Sequence, residues 1–469
     1  MSNQPPESVT PPEISDRMHR MARSLARPVE KFLHIEAASG MVLMLMAVIA
    51  LAWANSPWAE SYKHFWHTPI TLGFGDAMFA KDLHFWVNDI LMVIFFFVVG
   101  LEIRREMHEG ELATPKRAAL PLAAALGGML VPALLYYSVN LSTPAAQDGW
   151  SVPMATDIAF AVGVFALLGK RVPAALRILL LALAIIDDIG AIIIIAVFYT
   201  SELALGGFAV AGAGVVLVII MQRIAVRNPW LYVVPGVIVW GGILASGVHP
   251  TVAGVMLGLL TPAKAWFGAK GFVEESERVL SKVKPMLSSG FSESGLLPKL
   301  NQIQRAQMEA VAPVTRLEAA LHPWVAFGIM PLFALANAGV PLGTIDFAMD
   351  GATGVATGII LGLVVGKPLG IFLISWIAVK LGLASLPRGV TWTGVFVVGS
   401  AAGIGFTMAL FIGALAFPDP GLLAVSKAAV LGASLVAGVI SFVVGLMFLR
   451  GSPEVEGVTP DIAEKSTTL

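Results

Sequence analysis

The chain alternates long apolar runs with shorter polar connections. About twelve of the runs approach the length of about 20 residues that a helix needs to cross a bilayer. They lie near residues 33–54, 84–107, 119–139, 147–168, 174–199, 205–223, 229–243, 247–262, 320–340, 354–379, 393–417 and 422–449. The pattern predicts an all-α membrane protein with twelve transmembrane helices.

The polar connections divide the chain into five regions. These are a disordered, basic cytoplasmic tail at 1–31, transmembrane helices 1–8 at 32–262, a cytoplasmic linker at 263–319, transmembrane helices 9–12 at 320–450 and a cytoplasmic tail at 451–469. In the linker, GFVEESERVLSKVKPML is typical of a short surface helix, and SSGFSESG of a flexible segment. We expect the linker to connect the two halves, with regulation as the alternative.

The connection at residues 55–83 mixes aromatic, Thr and Gly residues, which favours a small external hairpin. We expect a homodimer to form through it. The first apolar run ends in Ala52-Trp53-Ala54, which resembles a signal-peptide cleavage site. The basic region before that run is too long for a typical signal peptide, so we interpret the run as the first spanning helix.

Basic residues separate the connections into two sets, as the positive-inside rule requires. One set has only Lys63 and Lys81. The other set contains the linker and Arg17, Arg20, Arg23, Arg27, Lys31, Arg104, Arg105, Lys116, Arg117, Lys170, Arg171, Arg223, Arg227, Lys380, Arg388 and Arg450. With an even number of spans, both termini are expected in the cytoplasm.

Composition agrees with a membrane protein and excludes several other classes. Hydrophobic residues make up 57% of the chain and charged residues 13%, with a mean hydropathy of +0.81. The net charge of -1 gives no reason to expect nucleic acid as a partner. The absence of cysteine excludes disulfides, thiolate metal sites and cysteine nucleophiles.

Few charged residues lie inside the apolar runs, where each is a functional candidate because its burial in a bilayer is costly. Glu102 and Lys427 lie near the ends of their runs, where their side chains can reach the membrane surface. The candidates are Asp89, Glu102, Asp157, Asp187, Asp188, Lys367 and Lys427. For the residues deeper in the runs, the alternative to a functional site is a static charge network.

Two adjacent carboxylates, Asp187 and Asp188, interrupt the apolar stretch LALAIIDDIGAIIII. Adjacent helical residues differ by roughly 100 degrees in direction, so the pair can flank a cavity. Carboxylate oxygens suit a hard cation such as Na+ or Li+. Burial and mutual repulsion favour a proton on one member when no cation is bound. Protons and cations would then compete for one site, which is the basis of an exchange mechanism.

Two runs contain residues that interrupt helices. Pro153 precedes Ala155-Thr156-Asp157 in the fourth run, and the eleventh run contains GSAAGIGFTM. Non-helical backbone persists inside a membrane only where protein or water satisfies its polar groups. Paired interruptions indicate a transport site between inverted-topology repeats, whereas close packing of small residues is the alternative.

Five blocks of sequence resemble the NhaA family of sodium/proton antiporters, in order and across nearly all of residues 32–450. They are ATDIAFAVGVFALLGKRVPAALRILLLALAIIDDIGAIIIIAVFY, SGVHPTVAGVMLG, RLEAALHPW, VVGKPLGIF and VVGSAAGIGFTMALFIG. The resemblance implies twelve helices in inverted-topology repeats, with segments 4 and 11 interrupted and crossing near the middle of the membrane.

The resemblance also implies roles for individual residues. Asp187 and Asp188 would bind the cation and the proton, with the Thr156 oxygen nearby. Asp157 would neutralise the positive half-helix ends at the crossing, and Lys367 the negative ends, with a contribution of Lys367 to proton transfer left open.

A second group matches positions linked to pH activation at the cytoplasmic mouth. His249, the histidine of this group, would titrate in the right pH range if its environment left it unperturbed. The alternative is that His249 is only a hydrogen-bonded structural residue. The group consists of Glu102, Arg105, Glu106, His249 and Glu318. The long linker departs from the family pattern and puts the pH dependence in doubt.

The implied activity is an electrogenic, pH-regulated exchange of cytoplasmic Na+ or Li+ for external protons in a bacterial inner membrane, without a cofactor and without an enzymatic reaction. One rival is a sodium-coupled symporter of organic anions, which the acidic core disfavours. A second is an intramembrane aspartyl protease, since Gly73-Phe74-Gly75-Asp76 has the form GxGD and Pro132-Ala133-Leu134 the form PAL. Asp76 lies in a polar connection, which argues against the protease.

Overall fold

The computed structural model describes residues 36–74, 77–200, 203–288, 293–387 and 389–449. Helices dominate this described part, and its sheet is a two-stranded hairpin. The tails predicted at 1–31 and 451–469, the GxGD residue Asp76 and the basic residues Arg388 and Arg450 lie outside the described residues.

Helices and strands follow one another along the chain with short connections. They are α1 (Glu36–Ala54), α2 (Ala59–Trp66), β1 (Pro69–Phe74), β2 (Ala77–Asp82), α3 (Leu83–Glu109), α4 (Pro115–Val139), α5 (Pro144–Met154), α6 (Ile158–Leu168), α7 (Ala174–Phe198), α8 (Leu205–Arg223), α9 (Pro229–Ala245), α10 (Thr251–Leu260), α11 (Gly268–Ser288), α12 (Glu293–Ala310), α13 (Pro313–Asn337), α14 (Ala352–Lys380), α15 (Trp392–Ala402), α16 (Phe406–Ala416) and α17 (Pro420–Phe448). The strands pair antiparallel, with Pro69 opposite Asp82.

Seven helices of the described chain are long and apolar enough to cross a membrane, namely α3, α4, α7, α8, α13, α14 and α17. Three bent pairs would raise the number to ten, with bends of 116° between α1 and α2, 46° between α5 and α6, and 50° between α15 and α16. Helices α9 and α10 are apolar but shorter. The prediction of a helical, multi-pass membrane protein is confirmed at this level.

Capping side chains explain where several helices begin. The first backbone N–H groups of a helix lack partners within the helix, and a side-chain oxygen at the preceding position can accept from them. Asp82 Oδ1 accepts from the Phe85 N–H at 2.9 Å before α3, and Thr391 Oγ1 accepts from the Gly394 N–H at 3.1 Å before α15. Asp419 caps α17 in the same way.

Close packing of α4 against α14 depends on two glycines. A Cβ atom at Gly127 would lie 2.1 Å from the Gly370 carbonyl oxygen, and a Cβ at Gly370 would lie 2.1 Å from the Gly127 oxygen. Neither position accepts a side chain without moving the backbone. The contact brings Lys367, one turn earlier on α14, into the interior of the bundle, where it is 0% exposed.

The linker differs from its sequence interpretation. The short helix expected there extends over Gly268–Ser288, and a second helix, α12, follows it. Its polar composition and an internal proline, Pro298, concealed α12 in the sequence pattern. Helix α13 begins at Pro313 rather than near residue 320, because proline suits the first turn of a helix. Residues 289–292 of the expected flexible segment lie outside the described residues.

The connection after α1 contains the hairpin expected from its composition. Strands β1 and β2 lie within residues 55–83. His67 Nδ1 lies 3.0 Å from Asp82 Oδ2 at the base of the hairpin. The two side chains tie the end of α2 to the start of α3.

Candidate functional site

The adjacent carboxylates lie in the interior of the protein, halfway along α7. Asp187 and Asp188 are 1% and 2% exposed. Asp187 Oδ2 lies 2.7 Å from Thr156 Oγ1 and 3.0 Å from Lys367 Nζ. The other oxygen, Asp187 Oδ1, is buried and has no hydrogen-bond partner among the described residues. Asp187 therefore retains a free oxygen beside its ion pair.

Asp188 faces a different environment from its neighbour. It lines a cavity of about 640 Å³ that also reaches Thr156 and Asp157. Within the described part of the chain its carboxylate makes no hydrogen bond. Since adjacent residues on a helix point in directions about 100 degrees apart, one carboxylate meets Lys367 while the other is open to the cavity.

The first helix interruption carries Thr156 into the site. Ala155, Thr156 and Asp157 are non-helical and separate α5 from α6. Thr156 Oγ1 lies 2.6 Å from Lys367 Nζ and 3.1 Å from the Ala402 carbonyl oxygen, besides its contact with Asp187. A hydroxyl donates one hydrogen bond at a time, so Thr156 can donate either to Asp187 Oδ2 or to the Ala402 carbonyl oxygen.

The second interruption contacts the first directly. Gly403, Ile404 and Gly405 separate α15 from α16, and the Asp157 N–H donates to the Ile404 carbonyl oxygen at 2.7 Å. Two unwound segments thus satisfy each other's backbone groups inside the protein, as non-helical backbone at membrane depth requires. The interruptions lie at the positions expected from the sequence.

Asp157 caps two helices at once. Its Oδ1 accepts from the Phe160 N–H at 3.0 Å at the start of α6. Its Oδ2 accepts from the Thr407 N–H at 3.1 Å at the start of α16, and also from the Thr407 hydroxyl. A helix N-terminus carries a partial positive charge. One carboxylate is therefore shared between two positive helix ends.

Lys367 contacts the opposite kind of helix end. Its Nζ donates to the Met154 carbonyl oxygen at 2.5 Å, at the end of α5, where the partial charge is negative. A π-helical turn at Gly362–Gly366 immediately precedes Lys367. Such turns occur often at functional sites because they displace side chains from regular helical positions.

Four of the five residues expected at a regulatory mouth meet at the far end of the same cavity. Glu102, Arg105, Glu106 and Glu318 all line it. Arg105 bonds Glu318 Oε1 at 2.5 Å and lies 3.4 Å from Glu106 Oε1. The second oxygen, Glu318 Oε2, is buried without a hydrogen-bond partner in the described chain. A pathway lined by charged groups thus connects this mouth to Asp188.

His249 is not brought to that mouth, which corrects the placement implied by the resemblance. Its Nε2 lies 3.8 Å from Asp89 Oδ1, and its Nδ1 lies 2.8 Å from Thr251 Oγ1. Asp89 and Arg105 are both on α3, about 24 Å apart at about 1.5 Å per helical residue. The imidazole therefore lies toward the other end of α3, since α10 begins there.

Three polar residues that bond across helices do not stand out in the sequence. Thr407, which bonds Asp157, lies in the block GIGFTM but carries no charge, so its burial in an apolar run does not mark it as costly. Asn88 and Asn337 exchange hydrogen bonds of 3.3 and 2.7 Å near the start of α3. An uncharged amide inside an apolar run is the signal that could have identified this pair.

A family model described as Na+/H+ antiporter 1 matches residues 30–445 of the chain. The chain belongs to this family. It is 56% identical to "Na(+)/H(+) antiporter NhaA 2" of Sorangium cellulosum, with 96% of both chains covered. It is 53% identical to the protein of the same name in Myxococcus xanthus, with 99% of both covered. The resemblance seen in the five sequence blocks is confirmed.

Two further matches are a relative and a solved structure. The chain is 49% identical to "Na(+)/H(+) antiporter NhaA" of Cupriavidus necator, with 96% of each chain covered. It is similar to the structure of the sodium proton antiporter MjNhaP1 from Methanocaldococcus jannaschii at pH 8. That match has 13% identity and a TM-score of 0.48, and covers 91% of this chain and 100% of the other.

Proposed function

We propose that the chain is a secondary transporter that exchanges Na+ for H+ across a membrane, with Asp187 and Asp188 as the shared site. Membership of the Na+/H+ antiporter 1 family supports the exchange of these two ions and makes the chain a transporter rather than an enzyme. The observation that carries the site assignment is a pair of buried carboxylates beside two mutually bonded helix interruptions.

Competition between cation and proton is the proposed basis of coupling. Asp188 and the Oδ1 oxygen of Asp187 are acceptors without a hydrogen-bond partner among the described residues, and Thr156 adds a neutral oxygen beside them. Na+ prefers oxygen ligands of this kind. When no cation is bound, a proton on Asp188 costs less free energy than a buried carboxylate charge without a partner. In each direction of the cycle the site then carries either a cation or protons, and one complete turnover exchanges the two.

Asp157 and Lys367 are proposed to hold the interrupted helices in place rather than to bind the transported cation. Asp157 bonds the amide ends of two half-helices, and Lys367 bonds a carbonyl end. Lys367 also pairs with Asp187, so a cation that attracts this carboxylate would weaken the pair. Release of a proton from Lys367 at that step is part of the proposal.

The finer architecture proposed is twelve spans in inverted-topology repeats. Seven long helices, three bent pairs and two shorter apolar helices, α9 and α10, together supply twelve segments. The division proposed is helices 1–8 at 32–262, a cytoplasmic linker at 263–319 and helices 9–12 at 320–450. Both termini would lie in the cytoplasm of a bacterial cell, with the protein in the inner membrane.

Several properties of the transport cycle also belong to the proposal. Exchange is electrogenic, Li+ replaces Na+, and pH regulation acts through Glu102, Arg105, Glu106 and Glu318 at the cavity mouth, with His249 acting from a separate position. A homodimer would form through the hairpin region at 55–83. The antiporter family disfavours the symporter of organic anions, and the acidic site does so on electrostatic grounds.

Everted membrane vesicles with an imposed pH gradient test the proposal. Addition of Na+ or Li+ should dissipate the gradient, and Asp188→Asn should abolish the response because it removes a charged ligand. Asp350→Asn is the matched control, since Asp350 is exposed in a connection outside the site. A normal response in Asp188→Asn vesicles would contradict the site assignment. Glu318→Gln, assayed from pH 6 to 9, should change the pH profile if the mouth regulates exchange.

A further inference from the structure

A second pocket lies where α3 and α10 end, separate from the proposed ion site. Its volume is about 340 Å³. Three of its six lining residues carry a basic side chain, and no acidic residue of the described chain lines it. The lining consists of Arg104, Met107, His108, Pro262, Ala263 and Lys264.

Close helix packing brings the basic residues together. A Cβ atom at Gly100 of α3 would lie 2.8 Å from the Val255 carbonyl oxygen of α10, and one at Gly258 would lie 2.6 Å from the Phe97 oxygen. Glycine is therefore required at both positions. Because Gly100 meets Gly258 while Phe97 meets Gly254, the two helices run parallel and end on the same side of the bundle.

The basic side chains of this pocket have no hydrogen-bond or ion-pair partner among the described residues. Arg104 Nε is buried and has no hydrogen-bond partner, and neither His108 nor Lys264 bonds another described residue. The adjacent Arg105 differs, since it pairs with Glu318. Basic residues near helix C-termini also offset the helix dipole. The Arg104 guanidinium bonds no carbonyl oxygen of the described chain, so its N–H groups are available to a ligand.

We propose that this pocket binds the phosphate of an anionic phospholipid headgroup. Guanidinium and ammonium groups recognise phosphate oxygens through charge-assisted hydrogen bonds. The pocket lies at the end of a candidate membrane span, where headgroups are found, and basic pockets between transmembrane helices bind such groups. The inference goes beyond ion exchange and assigns no transport step to the lipid.

Apolar residues beside the pocket favour a lipid over a free anion. Met107, within the pocket lining, is 53% exposed. Trp266, two residues after Lys264 in the sequence, is 70% exposed and has the Arg227 guanidinium 5.6 Å from its ring centre. Exposed Trp is typical of the boundary between headgroups and hydrocarbon. A free phosphate ion would gain nothing from these surfaces, whereas acyl chains would contact them.

Native mass spectrometry of the full-length protein in neutral detergent tests the proposal by titration with phosphatidylglycerol. We expect saturable binding, and Arg104→Gln/Lys264→Gln should raise the dissociation constant roughly tenfold by removing two charge-assisted contacts. Lys380→Gln is the matched control, because Lys380 is exposed near the end of another span. It should bind phosphatidylglycerol like the unchanged protein. If the double variant does not fold, Lys264→Gln alone should raise the constant about threefold.

Three results would overturn the proposal. The first is unchanged phosphatidylglycerol binding in the Lys264→Gln protein or in the double variant. The second is equal binding of phosphatidylcholine, which would remove the requirement for an anionic headgroup. The third is displacement of the lipid by inorganic phosphate at equal concentration, which would show that the pocket recognises the free anion. None of these results bears on Na+/H+ exchange, so failure here is distinguishable from failure of the proposed function.

Discussion

Replacement of Lys367 by Met tests the electrostatic design of the site. The Lys367 ammonium lies 3.0 Å from Asp187 Oδ2 and 2.6 Å from Thr156 Oγ1, and the side chain is fully buried. Met preserves most of the volume but removes the cation, so Asp187 is left as a buried carboxylate without a counter-charge. Removal of one partner from a buried ion pair costs about 3–5 kcal/mol.

The expected loss can be measured by thermal unfolding of the purified protein at pH 8, followed by tryptophan fluorescence. For a large domain, each kcal/mol of lost stability lowers the unfolding midpoint by about 2 °C or more. A loss of about 3–5 kcal/mol should therefore lower the midpoint by about 6–10 °C. Asp187→Asn/Lys367→Met should recover part of this loss because it removes the uncompensated carboxylate. The interaction energy from the double-mutant cycle should be about 1–3 kcal/mol.

Lys380→Met is the control for the loss of a lysine from the same helix. Lys380 is exposed, and its Nζ lies 4.7 Å from the centre of the Trp376 ring. Its replacement should cost less than about 1 kcal/mol. Equal unfolding midpoints for Lys367→Met and Lys380→Met would refute the reasoning. So would an Asp187→Asn/Lys367→Met variant whose loss of stability equals the sum of the losses of Asp187→Asn and Lys367→Met.

Two other predictions concern hydrogen bonds of Asp157 and Asp82. Thr407→Val removes the hydroxyl donor to Asp157 but keeps the 3.1 Å backbone bond, so unfolding should become easier by about 1.5–3 kcal/mol, measured as above. A Thr407→Ser variant should retain most of the stability. Burial alone would raise the Asp82 pKa, but bonds from Phe85 and His67 bring it below its usual value. Asp82 therefore stabilises the hairpin at neutral pH and loses this effect as the pH falls through the lowered pKa. Hydrogen-exchange protection of the hairpin amides should fall below about pH 4, and Asp82→Asn should show no such change.

The charged residues of the site could be identified from the sequence because charge is rare inside apolar runs. Asp187, Asp188 and Lys367 were each conspicuous in this way, and Pro153 indicated the first interruption. What the sequence lacks is the distance between runs. It could not indicate that Thr407 would meet Asp157 across two interruptions, since the residues are 250 positions apart.

Depth along a helix was also hidden in the sequence. His249 resembled a member of the mouth group, but a residue's height in the bundle depends on where its helix begins, and this boundary is the least certain part of a sequence interpretation. The linker illustrates a second cause. Helix α12 is polar, and its stability depends on contacts such as that of Gln302 with Glu275 on α11, 2.6 Å apart. Tertiary contacts of this kind have no periodic signature.

The two helix interruptions determine how the buried charges of the site are distributed. A helix end carries about half an elementary charge, so the two N-termini that Asp157 contacts amount to about one positive charge. That carboxylate offsets them. The carbonyl ends of α5 and α15 amount to about one negative charge, which Lys367 offsets through the Met154 oxygen. Lys367 also lies 3.0 Å from Asp187, so its one positive charge is shared between that carboxylate and the helix ends, whereas Asp188 has no cationic partner among the described residues. With Asp187 held near Lys367, Asp188 is the group whose charge must be neutralised by whichever ion enters the cavity.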